Sequence, residues 1–264
     1  MKKLLYKAGT RVMQAALFVK VYKQFTGSLL SRPLIRPFIY FSGINEAEIR
    51  RPKGGYKTLR QLFTRELPLG TRPVNQKEDV LVSPADGTLT AAGDMEENSQ
   101  FTVKGAQQTI QDLLRFPQVY QTYQNGSFAV IYLSPKDYHR VHIPLAGTLR
   151  QRYALGEKSE PVNDLGFHFG KSPLVTNHRI ISEYQTAYGK IAVIKVGALN
   201  VNSVDISARS LNLEKGEEMA RFSLGSTVII LTETSGWNFR PSGGHLNTAC
   251  RVGEEIARFQ GEWR

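Results

Sequence analysis

The chain has 264 residues, 41% of them apolar and 22% charged, with a formal charge of +11 at pH 7. That much apolar material can build a sizeable core and excludes a mainly disordered chain. A single cysteine, Cys250, excludes an intramolecular disulfide framework and a thiolate-cluster metal site, and fits a reducing compartment. The charge is unevenly placed: residues 1–74 hold 15 Lys and Arg against three acids (Glu46, Glu48, Glu66), a balance of +12, while the remainder balances at −1. A basic segment on a near-neutral body points to an anionic partner surface, either nucleic acid or anionic lipid.

The first 25 residues interleave Leu4, Leu5, Ala8, Val12, Ala15, Ala16, Val19 and Phe25 with Lys2, Lys3, Lys7, Arg11, Lys20 and Lys23 at roughly helical spacing. A basic amphipathic helix suits a lipid headgroup layer, which turns the choice toward a membrane and away from nucleic acid. The charge-free span 12–19 is far below the roughly 20 residues that cross a bilayer. No small-residue cleavage site follows it, so a signal peptide is not expected. Breaks at Gly27, Pro33, Pro37 and Gly54-Gly55 divide the rest of this segment into short helices, the last predicted over 57–66.

From Val80 onward the texture becomes β-rich. Strands are predicted over 88–92, 101–103, 128–133, 148–153, 179–184, 191–196, 227–232 and 255–259, with one helix over 109–115. Two phrases recur: Pro84-Ala85-Asp86-Gly87-Thr88-Leu89 as Pro144-Leu145-Ala146-Gly147-Thr148-Leu149, and Gly216-Glu217-Glu218-Met219-Ala220-Arg221-Phe222 as Gly253-Glu254-Glu255-Ile256-Ala257-Arg258-Phe259. The expected fold is therefore α+β: a basic helical, membrane-docking region over 1–74, then a mainly β catalytic body over 75–264 built as a duplicated sandwich or barrel unit. Asp86 in one phrase is Ala146 in the other, so the shared residues read as scaffold and the carboxylate as an addition for chemistry.

Phosphate-loop, dinucleotide, serine-elbow and zinc-protease signatures are absent. Asp86 on its own reads as a turn residue. His139 and His142 follow the predicted strand 128–133. Ser134, Pro135 and Asp137 resemble an N-cap, a first-turn proline and a capping acid, so a helical turn is predicted there, placing the two histidines on one face. Without a third ligand at suitable spacing they are not expected to hold a metal. In Gly225-Ser226-Thr227 a small polar triplet interrupts a strand. It reads either as a bend, or as a place where Gly225 leaves its carbonyl open to a neighbouring hydroxyl.

Three segments taken together, Ser83-Pro84-Ala85-Asp86-Gly87, the block from Tyr132 to His142 (Tyr-Leu-Ser-Pro-Lys-Asp-Tyr-His-Arg-Val-His), and Leu224-Gly225-Ser226-Thr227, resemble in content and order the signature segments of the phosphatidylserine decarboxylase family. The resemblance extends over nearly the whole chain. It implies a proenzyme that cuts itself between Gly225 and Ser226 into chains 1–225 and 226–264, with Ser226 becoming a covalent pyruvoyl group and neither metal nor pyridoxal phosphate required. It implies that His142 is the base, that Asp86 orients it, and that His139 serves the decarboxylation. The pyruvoyl group would form a Schiff base with phosphatidylserine and release carbon dioxide to give phosphatidylethanolamine. The implied partners are phosphatidylserine and an anionic membrane at the cytoplasmic face, where the protein is peripheral; a homodimer stays open. Two rivals remain: a Ser-His-Asp lipid hydrolase with Ser226 as a lasting nucleophile, and a non-catalytic membrane-binding module.

Overall fold

The computed structural model describes residues 2–96, 99–157, 159–162, 164–170, 172–199, 204–223, 226–240 and 247–261. Helices Lys2–Gln14 and Ala16–Thr26 meet at an extended Ala15, and Gly27 ends the second. A 3-10 helix, Leu29–Leu34, leads into helix Ile35–Ser42. Pro37, expected as a break, lies in the first turn of that helix, where its missing N–H costs no intrahelical bond. The helix ends instead at Gly43, whose φ of +72° suits glycine. The helix predicted over 57–66 shrinks to Leu59–Phe63, capped by Thr58, with Leu62 and Phe63 buried.

One side of this region meets the body: the Tyr6 and Phe169 rings lie 5.7 Å apart, and Gln14 Nε2 donates to Ser159 O at 3.1 Å. The other side leaves Leu17, Leu30, Tyr40 and Phe41 74–83% exposed. No helix among the described residues is long and apolar enough to cross a membrane.

The body centres on an eight-stranded sheet in the order Asn212–Leu213, Gly147–Leu155, Arg179–Thr186, Gly189–Gly197, Ser226–Thr232, Ser127–Leu133, Gly87–Asp94, Thr248–Cys250. Two three-stranded sheets accompany it: Val80–Val82, Glu255–Phe259, Trp237–Phe239, and Val204–Ile206, Glu218–Phe222, Arg140–His142. A hairpin, Gln100–Val103 with Ala106–Thr109, stands apart. One face of the wide sheet (Ile131, Val193, Val228) packs with the small sheets (Val141, Phe222, Ile256). The other face (Val130, Ile194, Ile229) packs with the helical residues Leu113, Val119 and Leu174. Burial on both faces explains why 227–232 reads as an unbroken β-forming run. The end strands of the wide sheet do not pair with each other among the described residues. The architecture is therefore layered, not the closed barrel that was one expected form: the small sheets cover a face instead of continuing the ring.

The strand order of the wide sheet is matched from its two ends by register. Thr88 pairs with Tyr132 and Leu89 with Ile131 before a slip; Thr148 pairs with Gln185 and Leu149 with Tyr184 before a slip at the same place. In the small sheets Val82 pairs with Glu255 and Leu81 with Ala257, as His142 does with Glu218 and Val141 with Ala220. The two turns exchange hydrogen bonds, His142 N–H to Pro84 O at 2.8 Å and Val82 N–H to Pro144 O at 3.3 Å. Both recurring turn glycines are required by close approach: a Cβ on Gly87 would lie 2.3 Å from Tyr132 O, and one on Gly147 2.8 Å from Gln185 O. In this correspondence Ser226, opposite Leu133, matches Gly189, opposite Thr186. Thr186 and Gly189 close a direct hairpin, whereas Leu133 and Ser226 are separated by the whole of 134–225.

Candidate active site

Asp86 ends the turn between Val80–Val82 and Gly87–Asp94 and is 6% exposed. Its carboxylate is held from two sides. Arg72 donates through Nε to both oxygens at 3.0 Å and through Nη2 to Oδ2 at 2.6 Å, and the Val252 N–H donates to Oδ1 at 2.9 Å. Arg72 also reaches Glu48 at 2.7 Å, so one guanidinium ties two acids.

The segment before the histidines forms one half of the predicted capping box, the Asp137 carboxylate on the Ser134 N–H, but not the helix; the Ser134 hydroxyl donates to that carboxylate instead of capping the Asp137 N–H. Ser134 N–H donates to Asp137 Oδ2 at 2.7 Å and Asp137 N–H to Ser134 O at 3.0 Å. The chain then extends as strand Arg140–His142, because β-branched Val141 pairs with Ala220 and fills the core. His139 and His142 therefore share no helix face.

His142 Nδ1 lies 2.8 Å from Gly216 O, and Nε2 lies 3.3 Å from the Tyr138 hydroxyl. A carbonyl only accepts, so Nδ1 carries the hydrogen and Nε2 accepts from Tyr138. Burial pushes the His142 pKa down against the opposing effects of Gly216, Glu218 and Asp86. Asp86 thus acts on His142 through its charge, while the Pro84 carbonyl two residues earlier holds the His142 backbone. The expected carboxylate–imidazole hydrogen bond is not formed, because Arg72 and Val252 take the carboxylate.

His139 is fully buried, and its Nδ1 lies 2.8 Å from Asp137 O. By the same argument Nδ1 is protonated and Nε2 bare, and Nε2 has no hydrogen-bond partner among the described residues. Burial drives its pKa down to about 3, with nearby Arg65 adding to the fall and the Asp137 carbonyl opposing it. The backbone of His139 accepts from Phe222 N–H at 2.9 Å, so it sits beside the strand that leads to Ser226.

Ser226 opens the central strand, between Leu133 on one side and Gly197 on the other. It is fully buried, and its Oγ has no hydrogen-bond partner among the described residues. A buried hydroxyl without a partner costs about 1–3 kcal/mol, which asks for a functional explanation. Gly225, the other half of the expected cleavage site, lies outside the described residues. A cavity of about 310 Å³ is lined by Asp86, Arg72, Tyr138 and Arg65. Of these, Arg65, Arg72 and Tyr138 were not singled out by sequence reasoning. Arg65 and Arg72 come from the N-terminal segment with no local motif to mark them, whereas Tyr138 stood inside the quoted block.

Two histidines that each present an unprotonated nitrogen, an acid and a buried hydroxyl without a partner among the described residues lie in one β body, a set suited to acid–base chemistry. A family model described as phosphatidylserine decarboxylase matches residues 59–258. The phosphatidylserine decarboxylase proenzyme of Geobacillus kaustophilus is 41% identical over 233 residues, covering 88% of both chains. The proenzymes of Bacillus cereus and Halalkalibacterium halodurans are 38% and 36% identical over 88% of this chain and 89% and 90% of their own. The chain belongs to the phosphatidylserine decarboxylase family.

Proposed function

We propose that the protein is a phosphatidylserine decarboxylase proenzyme that cuts itself between Gly225 and Ser226. The observation that carries this reading is the buried Ser226 hydroxyl at the head of the central strand, unpartnered among the described residues. His142 Nε2 takes its proton after Tyr138 yields that nitrogen, and the oxygen attacks the Gly225 carbonyl, exchanging amide for ester. Loss of the Ser226 α-proton expels the Gly225 carboxylate and leaves a dehydroalanine. Tautomerisation and hydrolysis release ammonia and leave a pyruvoyl terminus on 226–264. Gly216 holds His142 in the tautomer this requires, and Asp86 supports the positive charge that develops on the ring.

The residues present suit the group: its carbon atoms are all those of Ser226, which lies buried at the head of the central strand, and its ketone oxygen comes from the water of hydrolysis. When formed, the pyruvoyl group supplies a ketone that accepts the substrate amine and then the electrons left by carbon dioxide. His139 enters as a neutral acceptor at Nε2. It can relay a proton to the α-carbon after carbon dioxide leaves.

The matching registers support reading the β body as two copies of one unit, the second inserted into a hairpin of the first between Leu133 and Ser226. The exposed apolar side chains and basic balance of the N-terminal region support docking on an anionic bilayer, as a peripheral protein of the cytoplasmic face.

Intact mass tests the reading. The expected result is two chains, 1–225 and 226–264, the smaller one carrying a hydroxylamine-reactive ketone, with carbon dioxide released from phosphatidylserine vesicles. A single full-length chain labelled at Ser226 by a serine-directed phosphonate would favour the hydrolase instead.

A further inference from the structure

Arg65 is 5% exposed and faces no carboxylate within ion-pair distance among the described residues. A buried cation held without a counter-charge is costly and needs a reason. Its hydrogen bonds supply one. Nη2 gives its two hydrogens to successive carbonyls, Lys136 O at 2.6 Å and Asp137 O at 2.8 Å. The second of these is the oxygen that His139 Nδ1 also meets at 2.8 Å. Two residues earlier, the Phe63 ring packs on the His139 ring with centroids 4.4 Å apart. The stretch Phe63 to Arg65, at the end of helix Leu59–Phe63, therefore grips the histidine twice, by its ring and by the carbonyl that selects its tautomer.

We propose that Arg65 is a positioning residue for decarboxylation: its planar fork fixes the Asp137 carbonyl, which in turn holds the Nδ1–H tautomer of His139 and keeps Nε2 unprotonated. The inference rests on reading His139 as the proton-handling residue of that step. Arginine suits the task because one rigid nitrogen spans two adjacent carbonyls, whereas a lysine ammonium can bond them without setting their angle. Without the clamp, the carbonyl is free to turn and the imidazole to flip, which removes the lone pair from its required place. Self-cleavage draws on His142, Asp86 and Ser226, none of which bonds Arg65, so it should be spared.

The test compares wild type, Arg65→Gln, Arg65→Lys and His139→Ala, each assayed for the fraction cut after residue 225 by intact mass and for kcat and KM on phosphatidylserine in mixed micelles. Arg65→Gln should be cut like wild type, keep its KM and lose kcat by about 10- to 100-fold, the scale of a mispositioned catalytic group. Arg65→Lys should recover part of that kcat, and it also answers the question if the Gln variant does not fold. An Arg65→Lys protein with a raised KM and normal kcat would overturn the proposal and make Arg65 a binding group for the substrate's phosphate. Wild-type kcat in both variants, or failure of both to be cut, would also overturn it. If His139→Ala decarboxylates normally, the role given to His139 is lost, a failure separate from that of the clamp.

Discussion

The strands from Arg140 to Phe222 and the strands that flank them in sequence follow one pattern of pairing and slip, yet they are chemically unlike. Pro84 matches Pro144, Gly87 matches Gly147 and Gly253 matches Gly216; these positions set turns and close backbone approach in both regions. The differences fall elsewhere. Asp86 stands where the other region has Ala146, Ser226 where it has Gly189, and His142 where its counterpart is Val82. His139, whose carbonyl accepts from Phe222, corresponds to Asp79, whose carbonyl accepts from Phe259. One region holds the serine and the carboxylate, the other the two histidines, so the proposed site draws on both. A shared frame and unshared polar residues separate what folds the body from what equips it.

The sharpest way to break this comparison is Ser226→Ala, which makes the position inert like its counterpart Gly189. It should remain one chain with no decarboxylation, and two fragments cut after Gly225 would falsify the proposed chemistry. Asp86→Asn and His142→Ala should slow cleavage by about 100-fold or more, the usual scale for a general base and its support; a gel time course of freshly made protein checks this, and normal maturation would remove them from the processing machinery. His139→Ala should be cut yet fail to decarboxylate, seen as two chains on a gel with no carbon dioxide released.

A smaller effect concerns acid stability. The pKa of His139 is about 3 in the fold, against an ordinary value near 6.5, so between these limits the unfolded chain binds more protons. Stability should therefore fall as pH drops from about 6.5, by about 1 kcal/mol per pH unit for this residue. His142, whose pKa is also pushed down, acts in the same direction. Urea unfolding of the uncut Ser226→Ala protein at several pH values should show this slope, and His139→Phe should flatten it. The smallest effect is expected from Lys7→Glu with Arg11→Glu: weaker, less salt-sensitive co-sedimentation with anionic vesicles and unaltered cleavage. Unchanged binding would leave the N-terminal helices a packing role only.

All eight predicted strands lie within observed ones, because their runs are long and half- or fully buried. Strands of two or three residues, such as Asn212–Leu213 and Arg140–His142, are too short to show alternation and exist through their partners. At the site, the chemically marked residues Asp86, His139, His142 and Ser226 stood out in the sequence. The groups that set their hydrogen bonding did not. Arg72 lies 14 residues from Asp86 and Arg65 lies 72 from Asp137, and neither separation leaves a periodic or motif signal. The capping acid Asp137 was legible, but the strand that follows depends on Glu218–Phe222, about 80 residues away along the chain.

The central place of Ser226–Thr232 carries a thermodynamic consequence for the cut protein. This strand pairs along its length with Ser127–Leu133 on one side and with Gly189–Gly197 on the other. After cleavage the 226–264 piece would stay in the middle of the sheet with no peptide link to the rest, also paired to Val80–Val82 and Gly87–Asp94 through Glu255–Phe259 and Thr248–Cys250. Its release requires the sheet to open, so dissociation and unfolding become one event. Before the cut, refolding is a first-order process independent of dilution; after it, two separate chains must meet, and recovery depends on their concentration. Maturation would thus leave the native contacts in place while making their loss at low concentration hard to reverse.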